Sequence, residues 1–267
     1  MTDVYPSRIV CLTEETTEAL YLLGEEHRIV GISGFTVRPP RARKEKPKVS
    51  AFTSAKIDRI LALEPDLVLG FSDLQADIAS QLIRHGIEVH VFNQRSVGEI
   101  LRVIRMLGGM LGCEAKASAL ADELERGLAR IRATAAAFPR RPRVYFEEWD
   151  EPQISGIRWV SELVGIAGGD DIFPELAACG LGKDRIIADP LEAVRRAPEI
   201  MFGSWCGKKF SARNVVARPG WADVPAVRDG ELHEVKSSII LQPGPAALTD
   251  GVRELHRVIA AWAAKRG

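Results

Sequence analysis

Residues 8–33 read RIVCLTEETTEALYLLGEEHRIVGIS. The run Ile9-Val10-Cys11-Leu12 is short, apolar and uninterrupted, which predicts a buried strand over 8–12. Thr13 stands where a helix N-cap belongs, and Glu14 and Glu15 fall in the first turn, where the helix dipole favours acids. Residues 28–32 then read as a second strand. Strands alternating with helices predict a mostly parallel sheet covered by helices.

The rhythm continues outward from this stretch. A Pro-rich, basic segment, SGFTVRPPRARKEKPK over 33–48, is too long for a mere connector in a compact domain, so it is expected to have a job. A helix over 56–63 and strands over 66–70 and 88–92 follow. Ser72-x-x-Gln75 and Ser96-x-x-Glu99 are capping-box patterns. Val97, Ile100, Leu101, Ile104, Leu107 and Leu111 mark the buried face of the helix opened by the second. Residues 114–137 break the alternation with one long segment of strong helix formers, stopped by Pro139-Arg140-Arg141-Pro142. Strands are then predicted over 143–147, 199–202 and near 232–235, and helices over 158–166, from 190 and from about 246.

The expected organisation is α/β: an N-terminal lobe over 1–112, a connecting helix over 113–138 and a C-terminal lobe over 139–267. An internal echo supports two related lobes. Leu63-Glu64-Pro65-Asp66-Leu67-Val68-Leu69-Gly70-Phe71 matches Arg196-Ala197-Pro198-Glu199-Ile200-Met201-Phe202-Gly203-Ser204 in pattern. Each is a helix end, a Pro-acid turn, an apolar strand and a glycine.

Lys plus Arg and Asp plus Glu both total 36 in the 267 residues, so no general nucleic-acid or membrane-surface role is implied. No apolar run approaches the ~20 residues that span a bilayer. The N-terminus has no basic region, long apolar stretch or small-residue cleavage site. The expectation is therefore a soluble chain, cytoplasmic as written, or periplasmic where residue 1 is a cloned or processed start. Cys11, Cys113, Cys179 and Cys206 form no C-x-x-C pair and no zinc spacing, so no metal site is expected. G-x-S-x-G, H-E-x-x-H, P-loop and G-x-G-x-x-G motifs are all absent, and no catalytic residues are assigned. A monomer is expected, because nothing in the sequence demands an oligomer.

What recurs is a mixture of aromatic and polar residues at the ends of the predicted strands: Phe35 and Arg38, Phe52, then Phe71 with Asp73. In the second half it is Glu147-Glu148-Trp149-Asp150 and Trp205 with Lys208 and Lys209. Ligands of open α/β sheets bind outside the carboxyl ends of the strands. The mixture suits a cleft for a large, partly apolar ligand with polar groups at its rim. Trp149 offers a flat apolar face, one of the two glutamates is free to accept hydrogen bonds from the ligand, and alternation sends the other to the local backbone. Ser155-Gly156 allows close backbone approach. Arg38, Lys183, Arg185, Lys208 and Lys209 are candidates to meet carboxylates or a phosphate.

Four segments carry a family resemblance: residues 8–33, KVSAFTSAKIDRILALEPDLVLGFS, QLIRHGIEVHVF and ISGIRWVSELVGIAGGDDIF. In order and spacing they resemble the substrate-binding proteins of ABC importers for cobalamin and ferric siderophores, over nearly the whole chain, with the cobalamin-binding branch the best match. The resemblance implies two Rossmann-like lobes with mainly parallel sheets, joined by one long rigid helix, with the ligand in a cleft between them. It implies a non-catalytic protein with no intrinsic cofactor, a corrinoid such as cobalamin as ligand, and an ABC importer permease as partner.

Residue by residue, Phe52 and Phe71 occupy places where the corrinoid branch would have tryptophan. Arg38 stands where a tyrosine is expected, and the loop near Lys183 lacks an expected tryptophan that Trp149 and Trp205 are able to replace. Leu241-Gln242-Pro243-Gly244-Pro245 replaces an expected acid and aromatic. With Glu15, Phe35, Asp73, Glu148, Ser155, Arg185, Lys208 and Gln242, these complete the expected ligand contacts. The family docks on its permease through one acid per lobe. Asp58, seven residues before Pro65, matches the first, and Glu192, six before Pro198, is the candidate for the second. Alternatives of other kinds are a ferric siderophore or other chelate as ligand, and a cytoplasmic ligand chaperone or enzyme on the same lobes. Haem is disfavoured, because no tyrosine or histidine stands clearly where an axial ligand is needed.

Overall fold

A computed structural model describes residues 4–266. In chain order the first half holds β1 (Ile9–Cys11), α1 (Glu14–Leu23), β2 (Ile29–Ser33), α2 (Ala42–Glu45), β3 (Lys48–Ser50), α3 (Ile57–Leu61), β4 (Leu67–Phe71), α4 (Ala76–Arg84), β5 (Val89–Phe92) and α5 (Val97–Leu111). The 22-residue α6 (Glu114–Ala135) follows. The second half holds β6 (Arg143–Asp150), β7 (Gln153–Ser155), α7 (Arg158–Ala167), β8 (Asp170–Asp171), α8 (Pro174–Ala177), α9 (Leu191–Arg195), β9 (Ile200–Gly203), α10 (Ala212–Val216), α11 (Pro225–Arg228), β10 (Leu232–Glu234), α12 (Ser237–Ile240) and α13 (Val252–Ala264).

The chain divides into two compact units. One runs to Gln94 and resumes over Gly98–Leu124; the other takes Arg95–Val97 and Glu125 onward. The division falls inside α6.

In the first unit the strands lie in the order β3-β2-β1-β4-β5, all parallel. β1 and β4 are fully buried, as expected of central strands with helices between them in the chain. The order reverses between β1 and β4, so the crevice outside their carboxyl ends is the switch point of the sheet. Val10, Leu12, Val49, Ile60, Val68, Ile78 and Leu82 form a core against this sheet. Gly24 closes α1 at φ 74°, a left-handed conformation that glycine adopts without a Cβ clash.

In the second unit the order is β10-β9-β6-β7. β9 and β10 run parallel to the long β6, whereas β7 folds back antiparallel on its carboxyl end. β8 pairs with the start of β6. The core here is aromatic, with Tyr145, Phe173, Trp205, Phe210 and Trp221 packed together. The final helix α13 packs on α7, where a ring nitrogen of His256 lies 3.0 Å from the Ala167 carbonyl.

The echo between residues 63–71 and 196–204 extends to the backbone. Glu64 and Ala197, each just before a proline, take φ of 45° and 46°. The Arg8 Nε donates to the Glu64 carbonyl at 3.0 Å, and the Arg143 Nε donates to the Ala197 carbonyl at 3.0 Å. Asp66 accepts the Arg8 backbone N–H at 2.9 Å, and Glu199 accepts that of Arg143 at 3.0 Å. Each unit thus pins its first strand to the strand beside it with the same arginine, turn and acid.

Several elements differ from the sequence reading. The long 33–48 segment contains α2 and leads into β3. It is strapped onto α1 and the turn that follows it: Tyr21 donates to Glu45 at 2.7 Å, Arg38 to Glu18 at 2.9 Å, and Arg41 to Glu26 in the turn at 2.8 Å. Thr13 does not cap α1 with its side chain; its hydroxyl donates instead to Glu15 Oε1 at 2.6 Å. All four cysteines are free, and Cys11 is a fully buried apolar residue whose thiol burial pushes up to about 12.

Candidate ligand-binding site

The carboxyl ends of the first sheet carry the expected N-terminal residues. Phe35 follows β2 and is 62% exposed; Phe52 follows β3 and is half-buried. Phe71 ends β4 and is buried, and Asp73 just beyond is exposed. Gln75, which the sequence marked only as a capping residue, fixes two of these segments at once. Its Oε1 accepts the Phe71 N–H at 2.9 Å, and its Nε2 donates to the Phe52 carbonyl at 2.8 Å. A shallow groove of about 610 Å³ opens beside Ser72, Asp73, Ile83, Val91 and Asn93, along the β5 edge.

The start of α1 is acidic and buried. Glu14, Glu15 and Glu18 are all buried. Burial pushes Glu14 up to about 8 and Glu15 up to about 7. One oxygen of each, Glu14 Oε1 and Glu15 Oε2, has no hydrogen-bond partner among the described residues. Arg38, expected at the ligand, engages Glu18 while remaining partly exposed. These acids sit at the switch point of the sheet, where a neutral carboxyl is able to donate as well as accept.

In the second unit the EEWD segment ends β6, and its two glutamates part company. Glu147 is 0% exposed and lies at the centre of a network. It accepts from Tyr145 Oη at 2.8 Å, from Trp205 Nε1 at 2.9 Å and from both Arg218 guanidinium nitrogens at 2.8 Å. Such a bidentate pair is the arrangement that compensates a buried carboxylate. Glu148 accepts the Ile157 backbone N–H at 2.7 Å and pairs with Arg185 Nη2 at 2.8 Å. Glu148, expected among the ligand contacts, is thus engaged by the local backbone and by Arg185, and Glu147 turns inward to Arg218, a partner 71 positions away that local sequence gives no means of finding.

Arg185 is 4% exposed and also donates to the Ser155 carbonyl, while the Ser155 hydroxyl donates to the Arg185 carbonyl at 3.4 Å. Ser155, Arg185 and Glu148 therefore form one internal cluster, in contrast to the expectation of open, ligand-facing groups. Lys183, two residues away, is exposed.

Trp149 and Lys208 stay at the surface. Trp149 is half-buried against the aromatic core, and its Nε1 donates to the Glu151 carbonyl at 2.8 Å. The Lys208 ammonium pairs with Asp150 and lies 4.7 Å from the Trp149 ring centroid and 5.0 Å from that of Trp205. Trp205 itself is buried. Gly203 has no room for a side chain, since a Cβ there would lie 2.0 Å from the Phe210 ring. Gln242, half-buried, follows α12.

The two docking candidates also differ. Asp58 is exposed in the first turn of α3, and its carboxylate has no partner among the described residues. Glu192, in α9, accepts from Arg195 at 2.8 Å and from Arg196 at 2.9 Å. Asp189 Oδ1 accepts the Leu191 N–H at 3.0 Å.

Among the described residues no group of three or more His, Cys, Asp or Glu is arranged to hold a metal ion, and no helix is long and apolar enough to cross a membrane.

The profile of the periplasmic binding protein family matches residues 9–238. An uncharacterized ABC transporter substrate-binding lipoprotein, YvrC of Bacillus subtilis, is 26% identical over 263 residues, covering 95% of this chain and 80% of that protein. A vitamin B12-binding protein of Vibrio parahaemolyticus is 24% identical over 249 residues, covering 90% of this chain and 85% of its own. Among solved structures, the apo form of the periplasmic heme-binding protein RhuT from Roseiflexus superposes with a TM-score of 0.79 at 23% identity, covering 95% of this chain and 99% of the other. At that identity the likeness is one of fold. Proteins of one architecture thus take chemically different ligands.

Proposed function

The chain belongs to the periplasmic binding protein family, whose members are binding proteins rather than enzymes, and from that premise we propose that it captures a corrinoid, cobalamin or a precursor. The observation that carries the reading is the carboxyl end of β6. There the half-buried Trp149 carries the Lys208 ammonium over its ring, an aromatic and cationic surface suited to a ring system with polar arms. The similarity to vitamin B12-binding proteins supports the corrinoid over other large ligands.

In this reading Phe35, Phe52, Asp73, Arg38, Trp149, Lys183, Lys208 and Gln242 form the contact surface. Phe71, Trp205, Ser155, Arg185 and Glu148 shape it from beneath, since their side chains are largely withdrawn from solvent. Glu15 and Glu14, held above the ordinary carboxylate range by burial, supply carboxyl groups at the switch point for amide or hydroxyl groups of the ligand. Delivery is to an ABC importer, with Asp58 and Glu192 as the docking acids. Asp58 is free for an arginine, whereas Glu192 must exchange its present partners.

Competitive retention on an ultrafiltration membrane tests the ligand. The protein is incubated with cobalamin, cobinamide, a ferric siderophore and haem at equal concentration. Retention of the corrinoids alone supports the reading; retention of haem or the siderophore in their place overturns it.

A further inference from the structure

Beyond the carboxyl ends of β9 and β10 lies a second pocket, of about 280 Å³, walled by Trp205 and lined by Lys208, Lys209, Glu234, Lys236 and Ser237. Three lysines meet one acid there. Lys208 is neutralised by Asp150. Glu234 spends one oxygen on a long hydrogen bond from the Phe210 N–H at 3.4 Å. Lys209 and Lys236 have no acidic partner among the described residues.

Other basic residues of this unit do have acidic partners: Arg140 pairs with Glu199, Arg141 with Asp170, Arg257 with Glu254 and Lys265 with Glu231. The loops after two different strands bring the two unpaired ammonium groups to one concavity. Like charges held together repel, and an anion seated between them removes that cost.

We propose that this pocket is a subsite for a phosphoryl group. The ammonium groups of Lys209 and Lys236 supply the countercharge and the Ser237 hydroxyl a hydrogen bond, while Lys208, tied to Asp150, and Trp205 form its wall. Lysine acts on phosphate as a point charge, which suits a pocket whose donors come from separate loops. The pocket adjoins Trp205 and Lys208, so an aromatic-bound ligand with a phosphate arm reaches both places. This inference rests on the corrinoid reading for its natural ligand, because cobalamin carries a phosphodiester and cobinamide lacks it.

The test compares the wild type with the double variant Lys209→Met/Lys236→Met. Cobalamin affinity is expected to fall at least tenfold while cobinamide affinity holds within twofold. An equal fall for both, or no fall for cobalamin, overturns the subsite and leaves corrinoid capture standing. Where the wild type binds neither corrinoid, inorganic pyrophosphate is the probe, followed by saturable broadening of its phosphorus resonance. Broadening by the wild type and not by the double variant supports the subsite without the corrinoid; equal broadening, or none with either protein, overturns it. Circular dichroism of the variant checks that the fold is intact, and the single variant Lys236→Gln, expected to show a smaller loss in the same direction, serves if the double variant does not fold.

Discussion

Asp66 and Glu199 do the same work in the two units: each accepts the backbone N–H of the arginine that opens the neighbouring strand, at 2.9 Å and 3.0 Å. Asp66 also holds the Ser7 N–H at 2.7 Å, and Glu199 the Arg140 guanidinium at 2.8 Å. Replacing either acid with alanine is expected to cost about 1–3 kcal/mol, the range for unmaking hydrogen bonds to a charged acceptor. Urea unfolding of Asp66→Ala and Glu199→Ala measures this. A midpoint unchanged in both would show that the repeated clasp is ornamental.

The Glu147–Arg218 pair is the most consequential buried interaction in the second unit. Arg218→Met leaves an ionised carboxylate in a site that is 0% exposed, still facing Tyr145 and Trp205. The expected loss is about 3–5 kcal/mol, the usual cost of orphaning a buried charge. In Glu147→Gln/Arg218→Met the charge is gone from both sides, so the double variant should be more stable than Arg218→Met alone. Chemical denaturation of Glu147→Gln, Arg218→Met and the double variant decides it. A double variant as unstable as the sum of the singles contradicts the account.

Glu14 and Glu15 make a pH prediction. Burial raises them from the ordinary 4.5 to about 8 and about 7, with Glu18 adding repulsion and Arg38 opposing it at Glu14. In the unfolded chain both lose their protons near the ordinary value, so between pH 4.5 and about 8 the folded state binds more protons. Their contribution is therefore full below pH 4.5 and is lost as pH rises through the folded values. Glu14→Gln/Glu15→Gln removes that loss. It should be more stable than the wild type at pH 8 by at least ~1.4 kcal/mol, the equivalent of one pKa unit, with the gap closing toward pH 5. Thermal melts at the two pH values give the comparison, and a gap independent of pH would contradict the assignment.

Trp149→Ala should weaken corrinoid binding at least tenfold, or about 1.4 kcal/mol. It also removes the ring beside the Lys208 ammonium, so Lys208→Met should share part of the loss rather than add to it in full. Trp149→Phe, which keeps a flat face but not the N–H bonded to Glu151, should recover most of the affinity. Fluorescence-detected titration of the three variants checks the order. Equal affinity across them would remove Trp149 from the contact surface.

The strands of the first sheet were legible because buried parallel strands write themselves as apolar runs, as in residues 8–12 and 66–70. β3 was missed because Lys48-Val49-Ser50 has one apolar residue and lies at the sheet edge. The helices α8, α10, α11 and α12 are of four or five residues, too short for a periodicity to register. At the candidate site the aromatic positions were readable at strand ends, but the fate of the charges was not. Glu147 is committed by Arg218 and Trp205, and Glu148 by Arg185, all from distant segments. Local sequence shows that an acid follows a buried strand; only the folded chain shows which arginine neutralises it.

Corrinoid capture is the central claim, and calorimetric titration of the ligand-free protein with cobalamin tests it most directly. The account predicts saturable one-to-one binding, weakened at least tenfold by Trp149→Ala. The absence of heat and of saturation with cobalamin, in a preparation that does bind a ferric siderophore or haem, would contradict it and leave the family and the fold standing without this ligand.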